Sequence, residues 1–409
     1  MPHAPAHKRL AEKFLFKKHY PNALVGDALL ELVAHMYTEE EAGLACLLSF
    51  APLPAAVIAK KAHRPVAEVR PILDSMAERL LILSVQAGGK TLYGFLLLVP
   101  GVYEFQMIRS RAPGADQEHF ARFAQIFEDV YDEFLTWASP RSQDKDIRLM
   151  RVIPVEQSLE RATGILPHNT DRYSEIVDRN NSFCLVNACA CRTEKLLAGQ
   201  GCGKGMDVCS GMGWAADMAV AKGLARRVSK EEFLEAKARA TALGLVHLVD
   251  NLADPLQVCS CCTCCCGALR MIKDYNIPTI ICKSNFEAAI NKDLCAGCGL
   301  CVAACPMNAI TVTGKGKAKK ASIAYERCIG CGLCVGHCAK TGALSLRGRK
   351  EYRFPSRNPV EYFSERAQEL SGRQNSLLRS LTMGLGSTLY GLSPLHVSGP
   401  RYKPGKHGK

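Results

Sequence analysis

A cysteine pattern that occurs twice near the C-terminal side is the feature that most constrains this chain. The first copy, CAGCGLCVAACP, starts at Cys295, and the second, CIGCGLCVGHCA, starts 33 residues later at Cys328. Both copies have the spacing C-x-x-C-x-x-C-x-x-x-C. Short β-forming runs flank the copies and predict strands at Phe286–Ile290, Ala309–Val312, Ala321–Tyr325 and Ala343–Leu346. We therefore expect a small repeated fold that brings eight thiols together, and thiols at such short intervals are typical of metal-cluster ligands.

This repeat resembles the bacterial two-cluster ferredoxin domain. In that family, the first three cysteines of a motif hold one 4Fe-4S cluster, and the fourth cysteine holds the other cluster. The resemblance implies one cluster on Cys295, Cys298, Cys301 and Cys338, and a second on Cys328, Cys331, Cys334 and Cys305. Ala339 stands where Pro306 follows the last cysteine of the first copy. We expect this departure to weaken a helix start without removing a ligand.

Glycines at positions 297, 299, 330 and 332 lie between the cysteines of both copies. They permit tight turns and bring backbone N–H groups near sulfur, where hydrogen bonds stabilise a reduced cluster. Two structural zinc sites are the alternative, but zinc sites use paired C-x-x-C units rather than this interlocked pattern. The lysine-rich segment at 314–320 between the copies predicts an exposed loop. A domain of this type passes single electrons, and substrate chemistry does not follow from it.

Twenty of the 21 cysteines lie between Cys184 and Cys338. This density is typical of disulfide scaffolds or metal-cluster proteins. The first residues contain no apolar signal-peptide core, and no apolar run reaches 18 residues. We therefore expect a cytoplasmic protein without a transmembrane segment, in which reduced thiols bind metal. Cys184 and Cys282 stand apart from the other cysteines and are expected to be core thiols.

Ten further cysteines form two groups in the middle of the chain. They are Cys189, Cys191, Cys202 and Cys209 in the first group, and Cys259, Cys261, Cys262, Cys264, Cys265 and Cys266 in the second. Within the second group, Cys259, Cys262 and Cys265 repeat the three-ligand cluster spacing without a local fourth ligand. We predict that folding supplies that ligand from the first group, which gives one or two further iron–sulfur clusters. Zinc and a redox-active or persulfide-carrying thiol cluster are the alternatives.

The order of motifs in this middle region is C-x-C-R, then GLVH, then the clustered cysteines. This layout resembles the middle domain of larger multi-cluster ferredoxin-type proteins of anaerobes. Arg192 is expected either to donate hydrogen bonds to a cluster or anion, or to form a surface ion pair. A lone histidine at a helix end is more often structural, so His247 is interpreted as structural rather than as a cluster ligand or proton relay.

Residues 23–100 predict a helical unit that closes with a hairpin. The predicted helices are Ala23–Met36, Thr38–Leu48, Pro54–Ala62 and Pro65–Leu80, and the predicted strands are Leu81–Val85 and Thr91–Leu98. This order resembles the winged helix-turn-helix proteins of the MarR/ArsR-like superfamily. The helix in the recognition position carries two arginines and three acidic residues. Helices that face phosphates are normally basic, so packing or partner docking is favoured over DNA binding.

We therefore predict a multidomain α+β protein. Its expected parts are a winged-helix-like domain at 1–112, an amphipathic connecting helix at 113–140, a cysteine-rich α/β middle domain at 141–282, a ferredoxin-like dicluster domain at 283–348 and a basic tail at 349–409. The connecting helix has aromatic residues at intervals of three and four, which indicates a buried helix face. Within the tail, Ser376–Leu395 is expected to pack along the protein's own body.

The functional prediction is an iron–sulfur protein that passes single electrons to or from a redox partner protein. A redox-sensing DNA-binding regulator and an iron–sulfur oxidoreductase with its active cluster in the middle domain are the alternatives. The formal net charge of +13 is a weak argument for nucleic acid, because each oxidised 4Fe-4S site carries about −2 with its four thiolates. No dinucleotide motif and no P-loop is present, and no catalytic residue is predicted.

Overall fold

The computed structural model describes residues 4–15, 17, 23–141, 148–338, 341–357 and 361. Its helices are α1 Pro5–Phe14, α2 Asp27–Met36, α3 Glu39–Leu47, α4 Ala55–Ala62, α5 Val66–Glu78, α6 Tyr103–Arg109, α7 Gln117–Ala138, α8 Glu156–Leu159, α9 Tyr173–Asp178, α10 Ala190–Leu197, α11 Gly213–Ala221, α12 Lys230–Ala242, α13 Gly267–Lys273, α14 Leu300–Ala304 and α15 Leu333–Gly336. Ser376–Leu395 and most of the predicted tail lie outside the described residues. No helix among those described is long and apolar enough to cross a membrane.

The strands form one large sheet and three small ones. They are β1 Leu53–Pro54, β2 Leu83–Ala87, β3 Lys90–Gly94, β4 Met150–Ile153, β5 Phe183–Val186, β6 Ser210–Met212, β7 Ala225–Val228, β8 Val246–Asp250, β9 Gln257–Cys261, β10 Ile281–Cys282, β11 Phe286–Ile290, β12 Ile310–Thr313, β13 Lys320–Ile323 and β14 Leu344–Gly348. The chain is therefore mixed helix and sheet, as predicted for the fold class.

The N-terminal part contains α1–α5 and a three-stranded sheet in the order β1-β3-β2. The start of α3 is fixed by a capping box, since the Glu41 amide donates to Thr38 Oγ1 at 3.2 Å and the Thr38 amide donates to Glu41 Oε2 at 2.9 Å. The hairpin turns at Gly88 and Gly89, which both have positive φ. The predicted helices and hairpin are present, but β2 begins two residues later than expected and β3 ends at Gly94.

The predicted connecting helix is α7, which begins after Asp116. The Asp116 side chain accepts a hydrogen bond from the His119 amide at 3.0 Å and so caps the helix. Phe120, Phe123 and Phe127 are buried, and α7 packs against α2 on one side and α10 on the other. The helix therefore joins the N-terminal part to the cysteine-rich region by direct packing.

The middle region is built on a seven-stranded sheet in the order β10-β4-β8-β9-β6-β5-β7. Neighbouring strands are antiparallel except for β10 and β4. β5 ends at Val186, because the next residues turn into α10. The cysteine-bearing strand β9 lies at the centre of the sheet. Helix α12 is capped by Ser229, whose side chain accepts from the Glu232 amide at 3.2 Å.

The C-terminal part contains two antiparallel strand pairs, β11 with β14 and β12 with β13, and the short helices α14 and α15. β11 has the predicted bounds, and the other three strands begin or end within two residues of their predictions. The Val155 amide donates to the Cys331 carbonyl at 2.9 Å, and the Thr163 amide donates to the Leu346 carbonyl at 3.0 Å. These bonds fix the C-terminal part against the segment that follows β4.

Candidate metal centres

One group of thiols in the C-terminal part surrounds Cys301 and is called the outer set. Burial raises the pKa of Cys301, and the neighbouring thiols of Cys338, Cys295 and Cys298 raise it further. Such mutual effects require the four thiols to lie within short electrostatic range of each other. These are the four cysteines that the ferredoxin resemblance assigns to one cluster. Cys298 is exposed, so this set faces the surface.

The second group surrounds Cys334 and is called the inner set. Burial raises the pKa of Cys334 well above its usual value, with further increases from Cys331, Cys328 and Cys305 and a smaller one from Cys301 of the outer set. Burial likewise raises the pKa of Cys331 to about 12. The four thiols line one cavity together with apolar side chains such as Met307. The fourth cysteine of the first motif therefore lies with the second motif, as the interlocked pattern predicts.

Backbone groups approach the sulfur atoms of both sets. The Ala309 amide donates to Cys305 Sγ at 3.2 Å, and the Ala321 amide donates to Cys295 Sγ at 3.4 Å. Amide donors of this kind stabilise thiolates and tune the potential of a bound cluster. Eight thiols in two sets of four, with backbone donors aimed at sulfur, fit two 4Fe-4S clusters.

Two glycines show why the cysteine loops need this residue. Gly330 has φ +74, and a Cβ there would lie 2.0 Å from the Phe286 carbonyl oxygen. Gly297 has φ +63, and its Cβ would lie 2.4 Å from the Lys319 carbonyl oxygen. A side chain at either position would therefore be strained and would push the cysteine loop away from its neighbouring strand.

The ten middle cysteines divide into two groups, of which the larger is called the six-thiol group. Its members are Cys189, Cys191, Cys209, Cys259, Cys261 and Cys266. Hydrogen bonding with the thiols of Cys189 and Cys259 lowers the pKa of Cys209 well below its usual value. Hydrogen bonding with Cys191 and Cys261 does the same for Cys266. Since Cys259 and Cys261 also contact each other, the six thiols form one connected chain.

Four elements position the six-thiol group, one of them β6, which begins directly after Cys209. Cys259 and Cys261 lie on β9, while Cys189 and Cys266 are the residues that precede α10 and α13. The amides of Leu269 and Ala268 at the start of α13 hydrogen-bond to Cys266 and help to lower its pKa. Helix starts favour negative charge because their first amides lack partners within the helix. The local structure therefore suits buried thiolates.

The smaller group is called the four-thiol group and consists of Cys202, Cys262, Cys264 and Cys265. Their four Sγ atoms all lie within 4.8 Å of one another. The sequence spacing predicts that Cys259, Cys262 and Cys265 bind one cluster together. In the structure, Cys259 points to the six-thiol group, while the other two join Cys202 from the first cysteine segment. The two segments do meet, as predicted.

Arg192 lies between the two groups and is only 3% exposed. Its Nη2 donates to the Ser260 carbonyl at 3.0 Å, whereas Nε and Nη1 have no hydrogen-bond partner among the described residues. Burial alone would lower the pKa of Arg192, but the thiols of Cys189 and Cys262 help to raise it overall. The surface ion pair is therefore excluded. A buried guanidinium with two orphaned donors fits a site built for an anionic cluster.

His247 lies within β8 rather than at a helix end, which corrects the sequence interpretation of its position. Its Nε2 lies 2.8 Å from Thr241 Oγ1, and its Nδ1 lies 3.2 Å from Ser260 Oγ. Burial lowers the pKa of His247 to about 3, so the ring is neutral. Both ring nitrogens are used inside the core, which agrees with a structural role. Cys184 is fully buried, as expected for a core thiol, and Cys282 is half-buried.

A buried charge network behind the six-thiol group was not found by sequence reasoning. Glu128 on α7 pairs with Lys195 Nζ at 2.6 Å and with Arg270 Nη1 at 2.8 Å. Lys195 lies on α10 and Arg270 on α13, so Glu128 connects the two helices that begin at the cysteines. Nothing in the sequence distinguishes these residues from ordinary surface charges, which are seldom buried unless they are paired.

Glu194 completes this network as a protonated acid. Burial raises its pKa to about 9, and hydrogen bonding with Glu128 adds to the increase. The Tyr103 hydroxyl lies 3.5 Å from Glu194 Oε2, and its ring stacks on Phe127 of α7. At neutral pH the pair therefore shares one proton, which is held on Glu194 while Glu128 is ionised.

We expect Glu194→Gln to remove part of the alkaline loss of stability. The folded protein keeps the Glu194 proton up to about pH 9, while the unfolded chain loses it near the ordinary value of 4.5. The stabilising contribution of the Glu194 proton is therefore fully present below that ordinary value and falls as the pH rises towards 9, by about 1.4 kcal/mol per pH unit. The melting temperature between pH 6 and 9 measures this slope, with the exposed Glu175→Gln as control. Equal slopes for wild type and Glu194→Gln would contradict the assignment.

Comparison with known families supports the C-terminal centre. A family model described as a 4Fe-4S dicluster domain matches residues 294–343. The chain therefore contains a ferredoxin-type 4Fe-4S domain near its C-terminal side, in the part that carries the outer and inner sets. No curated protein and no solved structure gives a significant match to the chain.

Proposed function

We propose that this protein is an electron carrier that exchanges single electrons with a redox partner protein. The observation that carries the proposal is that Cys305 of the first motif lines the same cavity as the cysteines of the second motif, within the segment that matches a 4Fe-4S dicluster domain. Cys295, Cys298, Cys301 and Cys338 would hold one 4Fe-4S cluster, and Cys305, Cys328, Cys331 and Cys334 the other. Bound clusters of this type accept and release one electron each at potentials that their surroundings set.

The two sets differ in exposure in a way that suits this role. The outer set includes the exposed Cys298, and Lys320 beside it donates to the Cys295 carbonyl at 2.8 Å. The inner set lies against Val155 and Ser158 of the middle region. We therefore place the partner's docking surface at the outer set, where the positive charge of Lys320 favours an acidic partner surface.

We further propose that the six-thiol group holds a third iron–sulfur cluster. A row of residues across three neighbouring strands connects the six-thiol group to the inner set. Ile153 of β4 is paired with His247 of β8, and His247 is paired with Ser260 of β9, which lies between Cys259 and Cys261. Neighbouring strands are about 4.8 Å apart, so β4 and β9 are separated by about 10 Å. Val155, two residues after Ile153, bonds to Cys331. This short separation supports electron exchange between the inner set and the six-thiol group.

The N-terminal part is proposed to act as a winged-helix-like packing module, with the domain boundaries predicted from the sequence. Two observations favour packing over DNA binding. Arg64, before α5, pairs with Glu40 at 2.5 Å and with Glu68 at 3.3 Å, so its charge is already neutralised. The hairpin residue Ser84 accepts a hydrogen bond from Lys222 Nζ at 3.0 Å and so contacts the middle region.

Metal analysis and reduction of the anaerobically purified full-length protein test this proposal. We expect about twelve irons and twelve acid-labile sulfides per chain, with reduction by dithionite that cytochrome c reverses without loss of iron. Cys209→Ser should lower the iron content to about eight irons per chain, because the Cys209 thiol is hydrogen-bonded to two other thiols of the six-thiol group. Cys46→Ser is the control, because Cys46 lies in α3 of the N-terminal part and belongs to none of the thiol groups. An iron content below about six would overturn the carrier assignment, and an unchanged content in Cys209→Ser would overturn the third cluster.

A further inference from the structure

We propose that the four-thiol group is a separate site for one mononuclear soft metal ion, zinc or iron, held by Cys202, Cys262, Cys264 and Cys265. This site is distinct from the iron–sulfur centres described above, and it does not depend on the proposed electron-transfer function. The four thiols come from two chain segments about sixty residues apart in sequence.

The distances between the sulfur atoms indicate which metal species the four-thiol group can hold. A tetrahedral ion with metal–sulfur bonds of about 2.3 Å places its sulfurs about 3.8 Å apart. In the structure, the Sγ atoms of Cys202 and Cys262 are 3.9 Å apart, and those of Cys264 and Cys265 are 3.8 Å apart. All four lie within 4.8 Å of one another. The group therefore already has the dimensions of a single tetrathiolate ion.

A cubane cluster does not fit these dimensions. Its four thiolates bind four different irons, so their sulfurs stand farther apart, at about 6 Å. Among the described thiols of the outer and inner sets, by contrast, no three sulfur atoms all lie within 4.8 Å of one another. Closely spaced thiols thus distinguish the four-thiol group from the two sets of the ferredoxin-type domain.

The chain around the site resembles the surroundings of structural metal ions. Cys262 and Cys265 have the C-x-x-C spacing of one half of a zinc site. Cys202 lies in an irregular segment between α10 and β6, with positive φ at Gly199 and Gly203 on either side. An ion would fasten this segment to the turn after β9.

The ligand set is also complete. Four thiolates fill the four positions of a tetrahedral ion and leave none for water or substrate, as in structural rather than catalytic sites. Cys265 is 1% exposed, whereas Cys264 is exposed, so the site lies at the surface with one ligand open to exchange from solvent. The role is structural, because the ion holds the segment between α10 and β6 against the turn after β9.

Metal analysis and X-ray absorption spectroscopy of the full-length protein test this site. We expect about one zinc, or one iron in excess of sulfide, per chain, with four sulfur neighbours at about 2.3 Å and no metal–metal neighbour. Cys264→Ser should lower this ion to less than about 0.2 per chain while cluster iron and sulfide stay unchanged. Cys46→Ser is the control. Cobalt added to the stripped site should give the absorption of a tetrahedral thiolate.

A second variant keeps the test independent of folding defects. Cys202→His preserves a zinc ligand, since three cysteines and one histidine form a common zinc site. It should retain one ion with three sulfur neighbours and one nitrogen neighbour. A fall of iron and sulfide by about four each in Cys264→Ser would overturn the proposal, because the group would then hold a cluster. Absence of any mononuclear ion in wild type after incubation with zinc would overturn it as well.

Discussion

Gly330→Ala is expected to remove about four irons from the protein by displacing the inner set. The new Cβ would lie 2.0 Å from the Phe286 carbonyl oxygen and 2.2 Å from Ser284 Oγ. The backbone at Gly330 also has φ +74, where a non-glycine residue costs about 1–2 kcal/mol. Ser284 Oγ donates to the Gly330 carbonyl at 2.8 Å, so the clash falls on a bond that fixes the loop between Cys328 and Cys331.

Iron and sulfide analysis measures the effect, and the spin intensity of the reduced protein gives an independent count of clusters. Gly336→Ala is a matched control, because it lies in the same motif on α15 and a Cβ there meets no atom within 4 Å. Helical propensity favours alanine at such a position by about 1 kcal/mol. Full cluster content in Gly330→Ala would show that the loop tolerates the side chain and that our account of this glycine is wrong.

Arg192→Met is expected to lower the cluster content of the six-thiol group by more than half, without destabilising the metal-free protein. The buried guanidinium uses one of its nitrogens on the Ser260 carbonyl and leaves Nε and Nη1 unpartnered among the described residues. Methionine fills a similar volume without a charge, so in the metal-free protein the substitution removes the desolvation cost of a buried guanidinium. An anionic cluster, by contrast, would lose charge-assisted hydrogen bonds worth about 1.5–3 kcal/mol each.

Two measurements separate these effects. Thermal unfolding of the metal-free protein reports the packing contribution, and iron content after anaerobic reconstitution reports the cluster contribution. Arg192→Lys keeps the charge and should retain more cluster than Arg192→Met, although one amine cannot reproduce the planar donor set. Equal iron content in wild type and Arg192→Met would show that the arginine serves the fold alone.

Helix starts, tight turns and single strands could be predicted from the sequence, because their geometry depends on residues that are close together along the chain. Thr38 and Glu41 form the predicted helix start, Gly88 and Gly89 form the predicted hairpin turn, and β11 has the predicted bounds. These features follow from capping, positive φ and alternation, which act over a few residues. The winged-helix identity of the N-terminal part and the ligand sets of the clusters stay predictions.

The middle centre could be predicted only in part, because its geometry depends on contacts between distant segments. The composition of the two cysteine segments predicted metal, and the C-x-x-C spacing suggested that Cys259, Cys262 and Cys265 act together. β9 instead turns Cys259 and Cys261 towards the six-thiol group, and the following turn directs Cys262 and Cys265 towards Cys202. Side chains change direction where a strand ends, and spacing alone does not reveal that point.

Eight cysteines at short, repeated intervals were thus sufficient to predict the class of chemistry and the C-terminal ferredoxin-type domain, because such spacing needs no long-range contact. The division of the ten middle cysteines and the burial of Arg192 between the two groups are visible only in the folded chain. These relations arise from the strand order of the seven-stranded sheet and from the packing of α7 against α10. Both bring together residues that are distant in sequence, such as Ile153 and His247, and no local pattern specifies such pairs.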